Sequence, residues 1–433
     1  MAKLYFNVRD LFRAARLGWS GKKMWIGFRG ITVAYLIHGI LAYLSLLVAG
    51  ARTFGELWDI HGLFPRAIVR SGVAFVALEH GFPWLSWVIY GIGAIIALFI
   101  VLCTAQMISK IAYRQLKGDD FYSMGDALKS LKRNWKAVLL SPITLFAIVA
   151  FFILFGVFVV GGLARLIPYV GEILYAVFMV PVFFAVLLTV FMGIVLAVSL
   201  FLGPAIVGTT SEDTLETVIQ LFSTVWSQPW RLVLYELWVS VTTWFSATVL
   251  SVMTYLALLL TSWACGIFMG PKLTGLLSTA LHYVPQRALS LTMFHFSPER
   301  VAAKIDQMPV LWRLGSYYYP SLLNPLPPLT GEPTGTILWS GRILAVMLLF
   351  LVGFILSYAL ATCASGQTLI YVALRKMKDD ENLLEQKDRE EQEEEDRLRQ
   401  EEEERKRKEE EEGKEEEDKE EDEPQEESKS KEV

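Results

Sequence analysis

The sequence has few of the residues from which catalytic and metal sites are built. It contains three cysteines and five histidines in 433 residues, with neither a CxxC pair nor the ligand spacing of a zinc site. A glycine-rich phosphate loop, a GxSxG nucleophile motif and an HExxH motif are also missing. These absences argue against disulfides, metals and cofactors, and they favour a protein that is not an enzyme.

Charge is scarce over most of the chain because it is concentrated at one end. Residues 379–433 hold 30 of the 45 Asp and Glu together with 12 Lys and Arg, a net charge of −18. The preceding residues hold 28 basic and 15 acidic side chains, a net charge of +13. Because 53% of the sequence is hydrophobic, this pattern predicts a basic membrane body with an acidic tail. No pattern typical of nucleic-acid binding is present.

Six apolar runs are long enough to cross a ~30 Å hydrocarbon core at about 1.5 Å per residue. They cover about 31–49, 86–107, 138–160, 176–202, 232–260 and 343–372. The sequence therefore predicts an all-α integral membrane protein with six transmembrane helices, and a membrane domain over 29–373. Ala49-Gly50-Ala51 could mimic a signal-peptidase site, but the charged leader and the length of the first run favour an uncleaved anchor.

The even-numbered spans share a pattern of small residues, which allows helix backbones to approach closely. The pairs are Gly93/Ala97, Gly193/Ala197 and Gly353/Ser357. An amphipathic segment and then a tryptophan precede each odd-numbered span, at Trp25, Trp135 and Trp230. We therefore predict three tandem two-helix repeats, each preceded by an interfacial amphipathic helix. The even helices should pack in an inner layer, and the tryptophans should be interfacial anchors.

The composition of the segments outside the six spans predicts a leader, an outer insertion, a charged helix and a disordered tail. Residues 1–28 are predicted to form a basic amphipathic leader, and 266–341 an outer insertion with one interfacial or re-entrant helix. Residues 374–412 are predicted to form a charged helix that continues the sixth span. That segment carries seven Glu-to-basic i,i+4 pairs, and each such pair contributes about 0.2–0.5 kcal/mol. Beyond it, the acidic excess and Pro424 favour disorder over 413–433.

Lys and Arg are concentrated in the leader and in the connector between the second and third spans. The positive-inside rule then places both termini in the cytoplasm and the insertion outside. The connector at 203–231 departs from the rule, since it has Glu212, Asp213 and Glu216 but only Arg231. We expect a bacterial cytoplasmic (inner) membrane location, with anionic lipid headgroups at the basic connectors.

The stretch Asp126-Ala127-Leu128-Lys129-Ser130…Asn134-Trp135-Lys136 and the segment near Trp230 resemble uncharacterised bacterial multi-pass membrane proteins. These include the membrane domain joined to some glycerophosphodiester phosphodiesterases. The resemblance covers the cytoplasmic connectors and the helices that follow them. It implies a membrane-domain fold and carries over no catalytic residue.

Two functions fit these features. The first is membrane organisation or partner docking, through the outer insertion and through an acidic tail that would recognise a basic protein. The alternative is a transporter or channel for a small solute or lipid. Glu236, the only acidic residue in a predicted span, fits either a carboxylate that snorkels to the cytoplasm or a transport role. His38 fits either a polar residue on a bundle-facing surface or a ligand or proton relay. The sequence names no substrate, partner or oligomeric state.

Overall fold

A computed structural model describes residues 4–49, 53–61, 83–162, 170–269, 271–283, 335–386, 392 and 395–406. In this part of the chain the structure is helical and contains no strand. Six helices are long and apolar enough to cross a membrane, which confirms that prediction. We number them as the first to sixth long helices: Gly21–Val48, Trp84–Lys117, Met124–Phe155, Val170–Thr210, Pro229–Met269 and Thr336–Asp379.

The third long helix begins well before the apolar run that predicted it. It starts at Met124, where the Ser123 hydroxyl accepts a hydrogen bond from the Asp126 backbone N–H at 3.1 Å. This cap satisfies a donor that has no partner within the helix. The prediction of a separate interfacial helix is therefore wrong here, because the amphipathic segment forms the first three turns of the long helix. A π-helical turn, Gly156–Gly161, follows the helix.

Separate short helices precede the first and fifth long helices. Val8–Leu11 and Arg13–Gly18 form the leader, and they pack on the fifth and sixth long helices. The contact is close, because Gly18 lies directly against Thr362 and the Tyr358 hydroxyl donates to Ala15 O at 3.3 Å. The first long helix begins at Gly21, within the predicted leader 1–28. The second such element, Thr214–Ser227, precedes the fifth long helix.

The long helices have a definite order of neighbours. The second, fourth and sixth contact one another, so they form the centre of the bundle. The first packs on the second and sixth, the third packs on the second and fourth, and the fifth packs on the sixth. The described parts of the fourth and fifth share no packed interface, and the helix Thr214–Ser227 contacts both of them.

Two of the central helices approach each other closely at Gly208. A Cβ atom added to this residue of the fourth long helix would lie 2.9 Å from the Ser109 Cβ. It would also lie 3.0 Å from the Gln106 carbonyl oxygen of the second long helix. Only glycine permits this separation, because any side chain would overlap the neighbouring backbone.

The predicted packing glycines lie elsewhere. Gly93 faces the Leu41 Cβ, 2.9 Å from an added Cβ, and Gly353 faces the Phe28 ring at 2.8 Å. Both neighbours belong to the first long helix, an odd-numbered one. Gly193 has no heavy atom within 4 Å of an added Cβ. The three central helices contact one another, whereas Gly93 and Gly353 face the first long helix and Gly193 faces no neighbouring atom of the described chain within 4 Å.

The predicted charged helix over 374–412 is interrupted. The sixth long helix ends at Asp379, and Asp380 has a left-handed φ of 55°. Arg375 then pairs with Asp379 at 3.0 Å and with Glu381 at 3.1 Å, which holds the chain just after the helix end. Residues 380–386 are not helical, and helix is found again at 395–406. The chain divides into two compact units, Met1–Asn382 and Leu383–Val433.

Part of the predicted insertion is described. The helix Pro271–Tyr283 packs on the sixth long helix, where Ala280 is buried with Ala345 and Leu348. The two ends of the predicted insertion, 266–269 and 336–341, instead belong to the fifth and sixth long helices. Residues 284–334 of the insertion, and the predicted disorder at 413–433, lie outside the described residues.

Candidate functional site: the polar end of the bundle

Buried polar residues are concentrated where the second, fourth and sixth long helices end and the first, third and fifth begin. We call this region the polar end. Each of the three central helices ends at or next to a residue with left-handed φ: Gly118 at 103°, Ser211 at 58° and Asp380 at 55°. Buried polar side chains at the polar end include Lys23, Gln106, Ser109, Lys110, Ser211, Gln220, Thr362, Ser365 and Gln367.

Lys110 joins the second and fourth long helices. Its side chain is fully buried, and Nζ donates to the Ser211 hydroxyl at 2.9 Å. The preceding residue, Ser109, donates to the Ala364 carbonyl of the sixth long helix at 3.3 Å. A buried charge is costly unless it is hydrogen-bonded, so these contacts stabilise one arrangement of the three central helices.

Gln106 lies one turn before Lys110. It is fully buried, and neither Oε1 nor Nε2 has a hydrogen-bond partner in the described residues. Leaving a buried polar group unpaired costs about 1–3 kcal/mol. An amide can both donate and accept, so Gln106 has the most unused hydrogen-bonding capacity in this junction.

Glu236 points into the bundle. Its Oε2 accepts a hydrogen bond from Gln367 Nε2 at 2.7 Å, across the fifth and sixth long helices. Among the described residues, the second oxygens, Glu236 Oε1 and Gln367 Oε1, are buried and have no hydrogen-bond partner. Nearby, Gly366 lies directly against Val239 and brings the two helices close. The expectation of a snorkelling carboxylate is therefore not met, because a donor 131 residues away in sequence holds it.

A chain of hydrogen bonds connects the helix Thr214–Ser227 to the sixth long helix. The Tyr371 hydroxyl donates to Gln220 Oε1, and Gln220 Nε2 donates to the carboxylates of Glu212 and Glu216. Tyr371 and Gln220 are both buried. This network accounts for two acidic residues of the connector that departs from the positive-inside rule, since they accept internal hydrogen bonds.

Two cations at the start of the first long helix also make hydrogen bonds inside the protein. Lys23 is buried and donates to Leu17 O at 2.7 Å and to Gln115 Oε1 at 2.8 Å. Lys22 donates to the carbonyl oxygens of Asp120 at 3.2 Å and Tyr122 at 3.5 Å. These bonds join the start of the first long helix to the end of the second. A cleft of ≈ 520 Å³ lies beside them and is lined by Ser20, Gly21, Lys22, Ile111, Gln115, Asp119 and Asp120.

The other predicted packing residues differ in burial. Gly93 and Ser357 are buried, Ala97 and Gly353 are half-buried, and Ala197 is exposed. The structure therefore does not bring the three pairs together in one contact. Sequence reasoning missed Gly208, Gln106 and Gln367, although an isolated glycine and two amides in apolar runs were the available signal.

The predicted anchors are exposed. Trp25, Trp135 and Trp230 have exposed fractions of 46%, 41% and 79%. Trp25 stacks on Phe28 with ring centroids 5.8 Å apart, and Trp135 lies edge-on to Phe99 at 6.5 Å. Exposed indole rings next to apolar helix surface are typical of the membrane–water interface, where the prediction places them.

His38 lies against the second long helix. Its ring is edge-on to Tyr90 at 5.2 Å, and Nδ1 is buried without a hydrogen bond among the described residues. This position fits a polar residue on a bundle-facing surface.

Comparisons of this chain with protein families, with curated proteins and with solved structures find no match. The fold nevertheless defines a class. Six long apolar helices make this a multi-pass integral membrane protein.

Proposed function

We propose that this protein is a membrane scaffold that docks a basic protein through its acidic tail. The observation that carries the proposal is the separation of charge, net −18 over 379–433 against net +13 in the rest of the chain. In the described part of the tail, every side chain over 396–406 is exposed. The Glu395–Arg399 ion pair, at 3.3 Å, is also on the surface. Exposed ion pairs of this kind contribute about 1 kcal/mol or less to stability. A partner can therefore displace them at little cost and contact the excess acidic side chains.

The packing of the polar end supports a scaffold over a conduit. Ser109, Lys110 and Gly208 fill the junction of the three central helices with direct contacts. A path along the axis of these helices would need the contacts to separate. The closed junction is therefore consistent with a body whose main role is to hold its helices, its connectors and its tail in place.

We further infer that the body consists of three tandem two-helix repeats. The order of neighbours supports this inference, since each odd-numbered long helix packs on the even-numbered helix that follows it. The third long helix also packs on the second, which would be the even helix of the preceding repeat. The first long helix also packs on the sixth. The resemblance to the membrane domain of some glycerophosphodiester phosphodiesterases supports a shared fold without a shared reaction.

Transport of a small solute or lipid is the second candidate function. Gln106, which is buried beside Lys110 and has no hydrogen-bond partner among the described residues, favours it, because polar groups buried in a membrane protein commonly mark a substrate path. The substrate would then have to offer both hydrogen-bond donors and acceptors.

Photo-crosslinking in native membranes tests the docking function. A photoreactive amino acid at Glu403 of the full-length protein is expected to capture a basic protein. The matched control at Leu187, exposed on the fourth long helix, is not expected to capture that protein. Changing the other acidic residues of the block, Glu401, Glu402 and Glu404, to Gln should reduce the yield of the product, because it removes the charges next to the probe. An unchanged yield after this neutralisation, or the same product from Leu187, contradicts docking through the tail.

A further inference from the structure

Four cations form a stripe along the first three turns of the third long helix. They recur at i, i+3, i+4 and i+7, the spacing of one helix face. The four are Lys129, Lys132, Arg133 and Lys136, and all are exposed. The opposite face is buried through Ala127, Ser130, Ala137 and Val138. The packing of the helix therefore fixes the direction in which the stripe points.

The stripe holds like charges next to each other. Lys132 and Lys136 are four residues apart, and Arg133 and Lys136 are three apart, so their side chains repel. Asp126 pairs with Lys129 at 3.4 Å and offsets charge at the end of the stripe nearest the start of the helix. A bound anion near Lys132 and Lys136 would reduce the repulsion between these two side chains.

The stripe also lies next to apolar surface on the same helix. Leu140, Ile143 and Phe146 are exposed, and the first of them follows Lys136 by four residues, which is about 6 Å along the helix axis. Trp135 is exposed beside the stripe, one residue before Lys136. If the apolar surface faces acyl chains, then the three cations nearest to it lie at the depth of the phosphate groups.

We propose that Lys132, Arg133 and Lys136 bind the phosphate of an anionic glycerophospholipid, with Trp135 beside its glycerol and upper acyl chains. A guanidinium can contact two phosphate oxygens at once, and the two ammonium groups add charge on either side. The inference stands apart from tail docking, because it concerns a different segment, the opposite charge and a lipid partner.

Lipid retention by the full-length protein tests the site. The protein is purified in micelles with equal phosphatidylglycerol and phosphatidylcholine, and the bound ratio is measured by native mass spectrometry. Each cation near an anionic surface contributes about a factor of five, so K132Q/R133Q/K136Q should lower the preference for phosphatidylglycerol by roughly ten-fold or more. The control R397Q/R399Q/R405Q removes three cations from the tail helix and should leave the ratio unchanged.

Retention of the preference by the first triple variant overturns the proposal. An equal loss in the control also overturns it, because the effect would then follow net charge alone. Should the triple variant fail to fold, single variants decide the matter. Lys136→Gln is expected to weaken the preference more than Lys129→Gln, since Lys129 pairs with Asp126 and lies farther from the apolar surface. Equal single effects count against the site.

Discussion

At the scale of residues, the polar end depends on side chains that pair across helices. Lys110 and Ser211 are 101 positions apart, and Glu236 and Gln367 are 131 apart. Lys110, Ser211 and Gln367 are buried, and Glu236 is half-buried. The loss of one member therefore costs more than the hydrogen bond itself contributes, because the remaining group stays buried and unsatisfied.

The pair Glu236 and Gln367 provides a direct test of this asymmetry. Gln367→Leu removes the Nε2 donor at 2.7 Å and leaves the carboxylate without its only hydrogen bond described here. We expect a loss of about 1–3 kcal/mol in the free energy of unfolding, or somewhat more because the group is charged. Thermal unfolding of the full-length protein in detergent measures it.

The double variant Glu236→Leu/Gln367→Leu is the control. Removing both polar groups should recover part of the loss, since no carboxylate is left unpaired. If the double variant loses as much as the sum of the two single variants, the pair does not act as a unit and the interpretation is wrong.

At the scale of elements, the fourth long helix contains two glycines in contrasting surroundings. Gly208 lies against the backbone of the second long helix, whereas Gly193 lies in open space. Gly208→Ala should destabilise the protein by about 1–3 kcal/mol through overpacking. Gly193→Ala should be neutral or stabilise it by up to about 1 kcal/mol, because alanine favours helix.

The melting temperatures of the Gly208→Ala and Gly193→Ala variants, measured in detergent, compare the two positions within one helix. A loss at Gly193 as large as that at Gly208 would show that the recurring small-residue pattern, and not the observed contact, determines packing.

The elements themselves were largely predictable from sequence, whereas their ends and partners were not. A run such as 232–260 specifies a membrane helix by its hydropathy alone. The start of the third long helix at Met124 depends on the Ser123 cap, which lies outside the apolar run. The sixth long helix ends at Asp379, before the left-handed Asp380, and Arg375 pairs there with Asp379 and with Glu381 beyond the helix end. The series of Glu-to-basic pairs did not indicate this end. Contacts such as Gln367 with Glu236 have no periodic signal, so sequence spacing could not predict them.

At the scale of the whole molecule, the orientation in the membrane follows from charge and stays a prediction. The connector between the first and second long helices should be outside, and the connector between the second and third should be cytoplasmic. Thr53 and Asp120 are exposed positions in these two connectors. In a Cys265→Ser background, an impermeant thiol reagent added to intact cells should label Thr53→Cys.

The companion variant, Asp120→Cys, should react only after the membrane is permeabilised. Labelling of Asp120→Cys in intact cells, with protection of Thr53→Cys, contradicts the predicted orientation. Labelling of both from the same side contradicts a membrane crossing by the second long helix.

The length of the helices has a consequence for the membranes in which this protein can reside. The long helices have 28 to 44 residues, whereas about 20 cross a hydrocarbon core. When a bilayer thins or thickens by a few ångströms, the boundary moves along residues that are already helical and internally hydrogen-bonded. No loop has to enter the hydrocarbon, and no helix end has to leave its cap. We therefore expect the fold to tolerate bilayers of different thickness, with its depth set by aromatic and basic side chains instead of by hydrophobic length.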